Sequence, residues 1–307
     1  MSVRIRSTVA AFVAAAAVAG GTLLAGTGTA LAATPAAPAI SANPHGTLTV
    51  SDGGSWVLID GHWVNFGTQV RDLAWSPNGT RAAFVDGSGN LDTANVNGTG
   101  RVVVAVNPGN QTWSHPTWQV SAGIDGDSMN NLIFTATSKG VDRLEYVADN
   151  AVHGKPALLT LNADFGDGVK PLPQTGNEWP SAAGRYGTSV YANVQTGDVY
   201  IRDEYTRQIG AELTAGSEPA LAPNGEEVAF VRSVGGHDHI FVDNMTVANG
   251  IKDITPDATT NYTEPAWSTD GGTLAVRTPN GTYTLAANGS GHLVKATSAL
   301  GLAAYRP

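Results

Sequence analysis

The chain has 307 residues, no cysteine, and 26 acidic against 17 basic side chains, a net charge of −9. Without cysteine no disulfide can form, so a buried core must hold the fold. An acidic surface repels phosphate, which argues against nucleic acid and anionic membrane as partners.

From the N-terminus, MSVRIRS supplies Arg4 and Arg6 as a short basic region, and an Ala- and Val-rich run follows. Ala30-Leu31-Ala32 fits the small-x-small rule of a signal-peptidase site. Residues 1–32 are expected to be a signal peptide cleaved after Ala32. Cleavage removes two cations and leaves 275 residues with a net charge of −11. Gly20, Gly21 and Gly26 interrupt the apolar run, which argues against a retained membrane span. No cysteine follows the cleavage site to carry a lipid, so a secreted, extracellular protein is expected. Residues 33–44, ATPAAPAISANP, have little apolar patterning and are expected to form a flexible leader.

The rest, 45–307, repeats itself, and self-similarity at a fixed period signals a repeat architecture. AWSPNGTRAAFV at 74–85, ALAPNGEEVAFV at 220–231 and AWSTDGGTLAV at 266–276 share one pattern. Each has an aromatic or apolar start, a polar turn with Asn-Gly or Asp-Gly, and an alternating apolar strand. Gly supplies the positive φ that such tight turns need. A further strand follows each: GNLDTANV at 89–96, HDHIFVD at 237–243 and GTYTLAA at 281–287. Two weaker copies start at HPTW (115–118) and NEWPSAAG (177–184). Taking Trp75, Trp118, Trp179, Leu221 and Trp267 as anchors gives spacings of 43, 61, 42 and 46 residues. A period near 43 fits four-stranded propeller blades. The long spacing puts insertions in the HPTW repeat, at 123–130 and 153–168. No helical period of 3.6 runs through 45–307.

Five repeats leave residues at both ends. HGTLTVSDGGSWVLIDG at 45–61 lines up with GGTLAVRTPNGTYTLAANG at 271–289, as later strands without a first. LAAYRP at 302–307 lines up with EPAWST at 264–269, placing Tyr305 at the Trp position. The C-terminal strand is therefore expected innermost in a blade completed by N-terminal strands. The prediction is an all-β, six-bladed propeller over 45–307. Such closure removes the seam that would expose strand edges. A closed ring has no need to pair, so a monomer is expected.

The regular Trp75, Trp118, Trp179 and Trp267 are expected to pack between blades, as are Phe84, Phe134 and Phe230, rather than to form a binding platform. The residues just before the inner strands are Asp72, His115, Glu178, Glu218 and Glu264. They are the candidate ligand-binding set, expected at the channel mouth. Carboxylates in a ring raise one another's pKa and favour a cation, an amine or a basic peptide. The plainer reading is that they accept turn amides. Leu302 breaks the ring in the sixth blade.

His237-Asp238-His239 has metal-like alternation but lacks a third ligand, so it reads as a hairpin tip. Asp125, Asp127 and Asn130 in GIDGDSMN are weak calcium candidates, with Asp164 and Asp167 of the second insertion as possible partners. They lack the rest of a calcium loop. Calcium is the one cofactor considered. No Gly-x-Ser-x-Gly, phosphate loop or dinucleotide fingerprint occurs, and no catalytic residue is assigned.

The W-S-P-x-G turn, with its apolar strand and second Tyr/Phe-rich strand, resembles the TolB-type propeller repeat over essentially all of 45–307. The resemblance implies a six-bladed ring. TolB carries an extra N-terminal α/β domain that the leader is too short to hold, so its envelope role is not carried over. The expected function is a secreted binding or scaffolding propeller for a protein, peptide or cell-wall ligand. The alternative follows from the resemblance alone: a metal-assisted carbohydrate lyase or lactone hydrolase, with His115, Glu218 and Glu264 as its metal set.

Overall fold

The repeat turns set the architecture. In the computed structural model, which describes residues 45–122, 128–163, 170–203 and 209–307, the three strongest repeats close the same turn. Ser76, Ala222 and Ser268 receive the amides of Gly79, Gly225 and Gly271 at 2.8, 2.8 and 3.0 Å. All three glycines have positive φ, between 67° and 76°. Each turn sends the chain back along an inner strand, and the pattern builds a blade.

Among the described residues every regular element is a strand, and the strands form six sheets. Blade 1 holds β1 (Thr47–Ser51), β2 (Trp56–Ile59) and β3 (His62–Asn65). Blade 2 holds β4 (Arg71–Trp75), β5 (Arg81–Val85), β6 (Leu91–Asn95) and β7 (Val102–Ala105). Blade 3 holds β8 (Thr112–Ala122), β9 (Ser128–Ser138), β10 (Val141–Ala148) and β11 (Ala157–Leu158). Blade 4 holds β12 (Asn162–Ala163), β13 (Asn177–Ala183), β14 (Thr188–Asn193), β15 (Asp198–Arg202) and β16 (Ile209–Ala215). Blade 5 holds β17 (Ser217–Leu221), β18 (Glu227–Val234), β19 (His237–Asn244) and β20 (Ile251–Asp253). Blade 6 holds β21 (Thr263–Trp267), β22 (Thr273–Thr278), β23 (Gly281–Ala286) and β24 (Val294–Thr297). The last strand, β25 (Leu302–Arg306), is innermost in blade 1, in the order β25-β1-β2-β3. It runs antiparallel to β1 from Thr47↔Arg306 to Ser51↔Leu302. The C-terminal closure expected from the Tyr305 alignment is therefore present.

The core lies between blades rather than inside any one of them. Five buried clusters each straddle a junction, such as Phe66 and Val70 with Phe84 at blades 1 and 2. Phe84, Phe134 and Phe230 are fully buried. Trp75, Trp118 and Trp267 are 8, 7 and 8% exposed. Their indole N–H groups reach back to the preceding blade: Trp118 to the Ala74 carbonyl (3.1 Å), Trp267 to the Ala220 carbonyl (2.9 Å) and Trp75 to Thr49 Oγ1 (2.9 Å). Large aromatics thus join blades by both area and hydrogen bonds.

Two expectations are corrected. Trp179 is not the fourth member of this set. The strand registers place Ala182 at its position in blade 4, and Trp179 three residues earlier. Blade 4 also has five strands, because β12 adds parallel to β16. The signal peptide, the leader, and Asp125, Asp127, Asp164 and Asp167 lie outside the described residues.

The closure makes a contrast that can be measured. Gly79 and Gly271 occupy equivalent turns with φ of 67° and 72°. A Cβ on Gly79 would meet the Pro307 carbonyl at 2.5 Å, whereas nothing lies within 4 Å at Gly271. Gly271→Ala should cost about 1 kcal/mol through its backbone alone. Gly79→Ala should cost at least about twice that, because it also pushes on the closing strand. Denaturant unfolding of both variants checks the difference, and equal losses would mean that the C-terminal strand does not bear on this turn.

Candidate functional site: the channel mouth

Each inner strand of blades 2 to 6 carries one extra residue near its start. The slip falls between Arg71 and Ala74, Ser114 and Thr117, Glu178 and Ser181, Ser217 and Ala220, and Thr263 and Ala266. In every case the second residue of the segment is left-handed: Asp72, His115, Trp179, Glu218 and Glu264 have φ of 50° to 57°. Non-glycine residues avoid this region, so a fivefold recurrence marks a constrained position. A bulge re-aims its side chain. Here it turns five side chains toward the ring.

Four of the five predicted residues occupy this position, and blade 4 departs from the prediction. Its ring residue is Trp179, and Glu178 stands one place before it. Leu302 pairs with Ser51 without a slip, so blade 1, the blade completed by the C-terminal strand, interrupts the ring as expected.

The ring side chains reach from blade to blade. Asp72 Oδ2 accepts the backbone N–H of His115 at 3.1 Å. The His115 imidazole stacks on the Trp179 indole, centroids 3.7 Å apart and planes at 30°. Glu218 Oε2 accepts the backbone N–H of Glu264 at 2.7 Å. Glu264 Oε1 accepts from Arg277 Nη1 at 2.6 Å. For Asp72 and Glu218, the turn-amide reading is therefore what the structure shows.

The mouth is nonetheless unbalanced in charge. Burial pushes Glu218 up to about 7, with Glu264, Asp238 and Glu178 adding to the rise and the Glu264 amide opposing it. Burial also raises Glu264, against Arg277, with Asp72 adding to the rise. Glu178 is raised by burial and by Asp142. Burial lowers His115, against the pull of Asp72. Two buried polar atoms here have no hydrogen-bond partner: His115 Nδ1 and Glu264 Oε2. Buried polar atoms are rarely left so, and each is an open acceptor or donor.

Behind the mouth lies a channel cavity of ≈ 200 Å³. Asp72, His115 and Trp179 line it. Glu218 and Glu264 do not; Pro219 and Pro265 take their places on its wall. Among the described residues, no three His, Asp or Glu side chains gather closely enough to hold a metal ion. His115, Glu218 and Glu264 are thus not brought together as a metal set. Nor are His237 and His239: His239 is buried with Nδ1 2.8 Å from Asp253 Oδ2, while His237 pairs with Val234 at the hairpin tip.

At the other end of the inner strands, three residues or about 10 Å further on, a second cavity of ≈ 550 Å³ opens. It was not anticipated from the sequence. The signal for it is the small Ala182 where four other blades carry Trp or Tyr and blade 5 carries Leu221.

These features define a six-bladed β-propeller closed by its C-terminal strand. Its fold is similar to that of the TolB propellers. TolB from Acinetobacter baumannii superposes with a TM-score of 0.60 at 15% identity, over 85% of this chain and 67% of that one. A putative TolB from Agrobacterium tumefaciens gives 0.59 at 15% identity, over 83% and 89%. A chain of a nidogen/laminin complex gives 0.59 at 11% identity, over 85% and 98%. No protein-family model and no curated protein matches the sequence. Among the described residues no helix is long and apolar enough to cross a membrane.

The raised carboxylate has a sign. Glu218 has a folded pKa above its unfolded one, so its contribution to stability is full below about 4.5 and is lost as pH rises through about 7. Asp92, buried beside Asp86 and Arg101, is pushed up to about 7 by burial and adds to the same slope. Glu218→Gln keeps an acceptor for the Glu264 amide but cannot ionise. It should match the parent near pH 4.5 and exceed it by on the order of 1–3 kcal/mol at pH 8. Melting curves at both pH values test this, and a variant no more stable at pH 8 would remove Glu218 as a buried ionisable group.

Proposed function

We propose that the protein is an exported binding propeller whose acidic mouth receives a cationic group carried by a protein, peptide or cell-wall ligand. One observation carries the reading: Glu264, Asp238 and Glu178 push up the buried Glu218, and Asp72 pushes up the buried Glu264, around a mouth where Glu264 Oε2 and His115 Nδ1 are unpartnered. An arriving ammonium or guanidinium relieves that repulsion and supplies the missing donor. The cavity of ≈ 200 Å³ is the size of one long side-chain terminus rather than of a folded domain. Recognition is therefore of a single cation on an extended ligand, with the blade loops giving the rest. Export rests on the basic region, the apolar run and Ala30-Leu31-Ala32. The protein recovered from the culture medium should begin at Ala33, and retention in the cell would overturn that part.

Binding should depend on pH in one direction. Cation capture needs Glu218 ionised, so affinity should rise between about pH 6 and about 8. The groups facing Glu218 are Glu178, Asp238 and Glu264, the last held by Arg277. Calorimetric titration with an oligolysine peptide, and with its acetyl-lysine form as control, tests the reading. The lysine peptide should bind, and Glu264→Gln and Glu178→Gln should each weaken it roughly threefold to tenfold. Glu218→Gln should flatten the pH profile. Equal binding of the acetylated peptide, or no effect of these variants, would sink the proposal.

A further inference from the structure

We infer that the cavity at the opposite mouth is a second, separate ligand site, built for a flat aromatic ring that bears an acid group. Its volume of ≈ 550 Å³ falls in the range of about 300–1,000 Å³ typical of small-molecule sites. The cavity exists because the six inner strands are unequal at one level. Blades 2, 3 and 6 present Trp75, Trp118 and Trp267 there, and β25 presents Tyr305. Blade 4 presents Ala182 and Ala183, both only partly buried. An aromatic wall thus faces a shallow one across open space.

The chemistry of the wall selects the ligand. All three indole N–H groups are already committed to neighbouring blades. They offer the cavity hydrocarbon surface and no donor, which disfavours a sugar ring with its many hydroxyls. A planar ring gains offset or edge contacts with the indoles that an alkyl chain does not. At the rim stands Arg185, exposed, with its guanidinium over the Tyr186 ring and bonded to the Tyr186 hydroxyl. It is a cation beside an apolar cavity, on a protein of net charge −9. A carboxylate on the ring would meet it. The site shares its inner wall with the channel cavity, but its rim carries an arginine where the other mouth carries carboxylates.

The test is calorimetric titration of the full protein with naphthalene-2-carboxylate, naphthalene-2-methanol and decanoate. The carboxylate should bind most tightly, the neutral alcohol roughly tenfold more weakly, and decanoate more weakly still. Arg185→Gln should bring the carboxylate down to the level of the alcohol. Ala182→Leu fills the space and should abolish binding of both naphthalenes. Ala182→Val, a smaller addition at the same position, should weaken both in proportion, which keeps the test valid if the leucine variant folds poorly. In both, lysine-peptide binding at the other mouth should persist, showing that the ring is intact. No binding of naphthalene-2-carboxylate would overturn the inference. So would unchanged binding by both filled variants, or decanoate binding as well as the ring does.

Discussion

The pairing of β1 with β25 is the contact on which the rest of the structure depends. It joins strands about 250 residues apart, Thr49 Oγ1 donating to the Ala304 carbonyl across 255 positions. Closing so long a loop is entropically unfavourable, though the cost grows only slowly with length. With no cysteine, no covalent bond shares the load. What offsets it is that closure packs Ala304 of β25 against the cluster joining blades 1 and 2 and seats β25 between β4 and β21. An open ring would leave β4 and β21 each without an inner-strand neighbour on one side and expose Trp75 and its cluster at a free edge.

The bulges follow from the same demand. Inner strands must converge on a narrow axis while their outer partners diverge, and one extra residue in five of the six inner strands turns the chain into that geometry. A left-handed residue other than glycine is costly, of the order of 1 kcal/mol or more at each position. The staples between blades hold it there: Asp72 on the His115 amide, His115 on Trp179, Glu218 on the Glu264 amide. The acidic mouth is in this sense a by-product of joining blades. A carboxylate is a strong acceptor for a buried amide, and placing several of them around one axis accumulates charge.

Much of this was legible from the sequence, for a physical reason. Asn-Gly and Asp-Gly turns and alternating apolar strands are local signals, so AWSPNG, APNG and STDGG located three blades directly. Closure was legible because Tyr305 stands in a recognisable frame. The misplacement of Trp179 shows where this stops. Aligning on the Trp itself ignored the backbone, yet His115, Trp179, Glu218 and Glu264 each precede a proline. That X-Pro step is the mark of the bulge, and Asp72-Leu73 alone lacks it. The fifth strand of blade 4 had no sequence signal, since two residues carry no period. The second cavity was hidden because it is made by absent side chains at Ala182 and Ala183, spread against aromatics more than 60 residues away.

The two mouths divide the chemistry of one channel. The inner strands run in a common direction, so position within a strand fixes depth along the axis. Residues at the bulge face one end with three carboxylates, an imidazole and the Trp179 indole stacked on it. Residues three places later face the other with indoles and a phenol. Ala74, Trp75, Thr117, Pro223, Trp267 and Tyr305 line both cavities, and this shared wall is apolar apart from the Thr117 hydroxyl, which accepts the Ala182 amide, and the Tyr305 hydroxyl. An ion entering from the acidic end gains nothing by moving past it, because an unpaired charge there would lose its hydration. A flat apolar ring entering from the aromatic end finds its partners before it meets a carboxylate. The strand register that builds the ring therefore also keeps the two ends chemically distinct, without any further element to separate them.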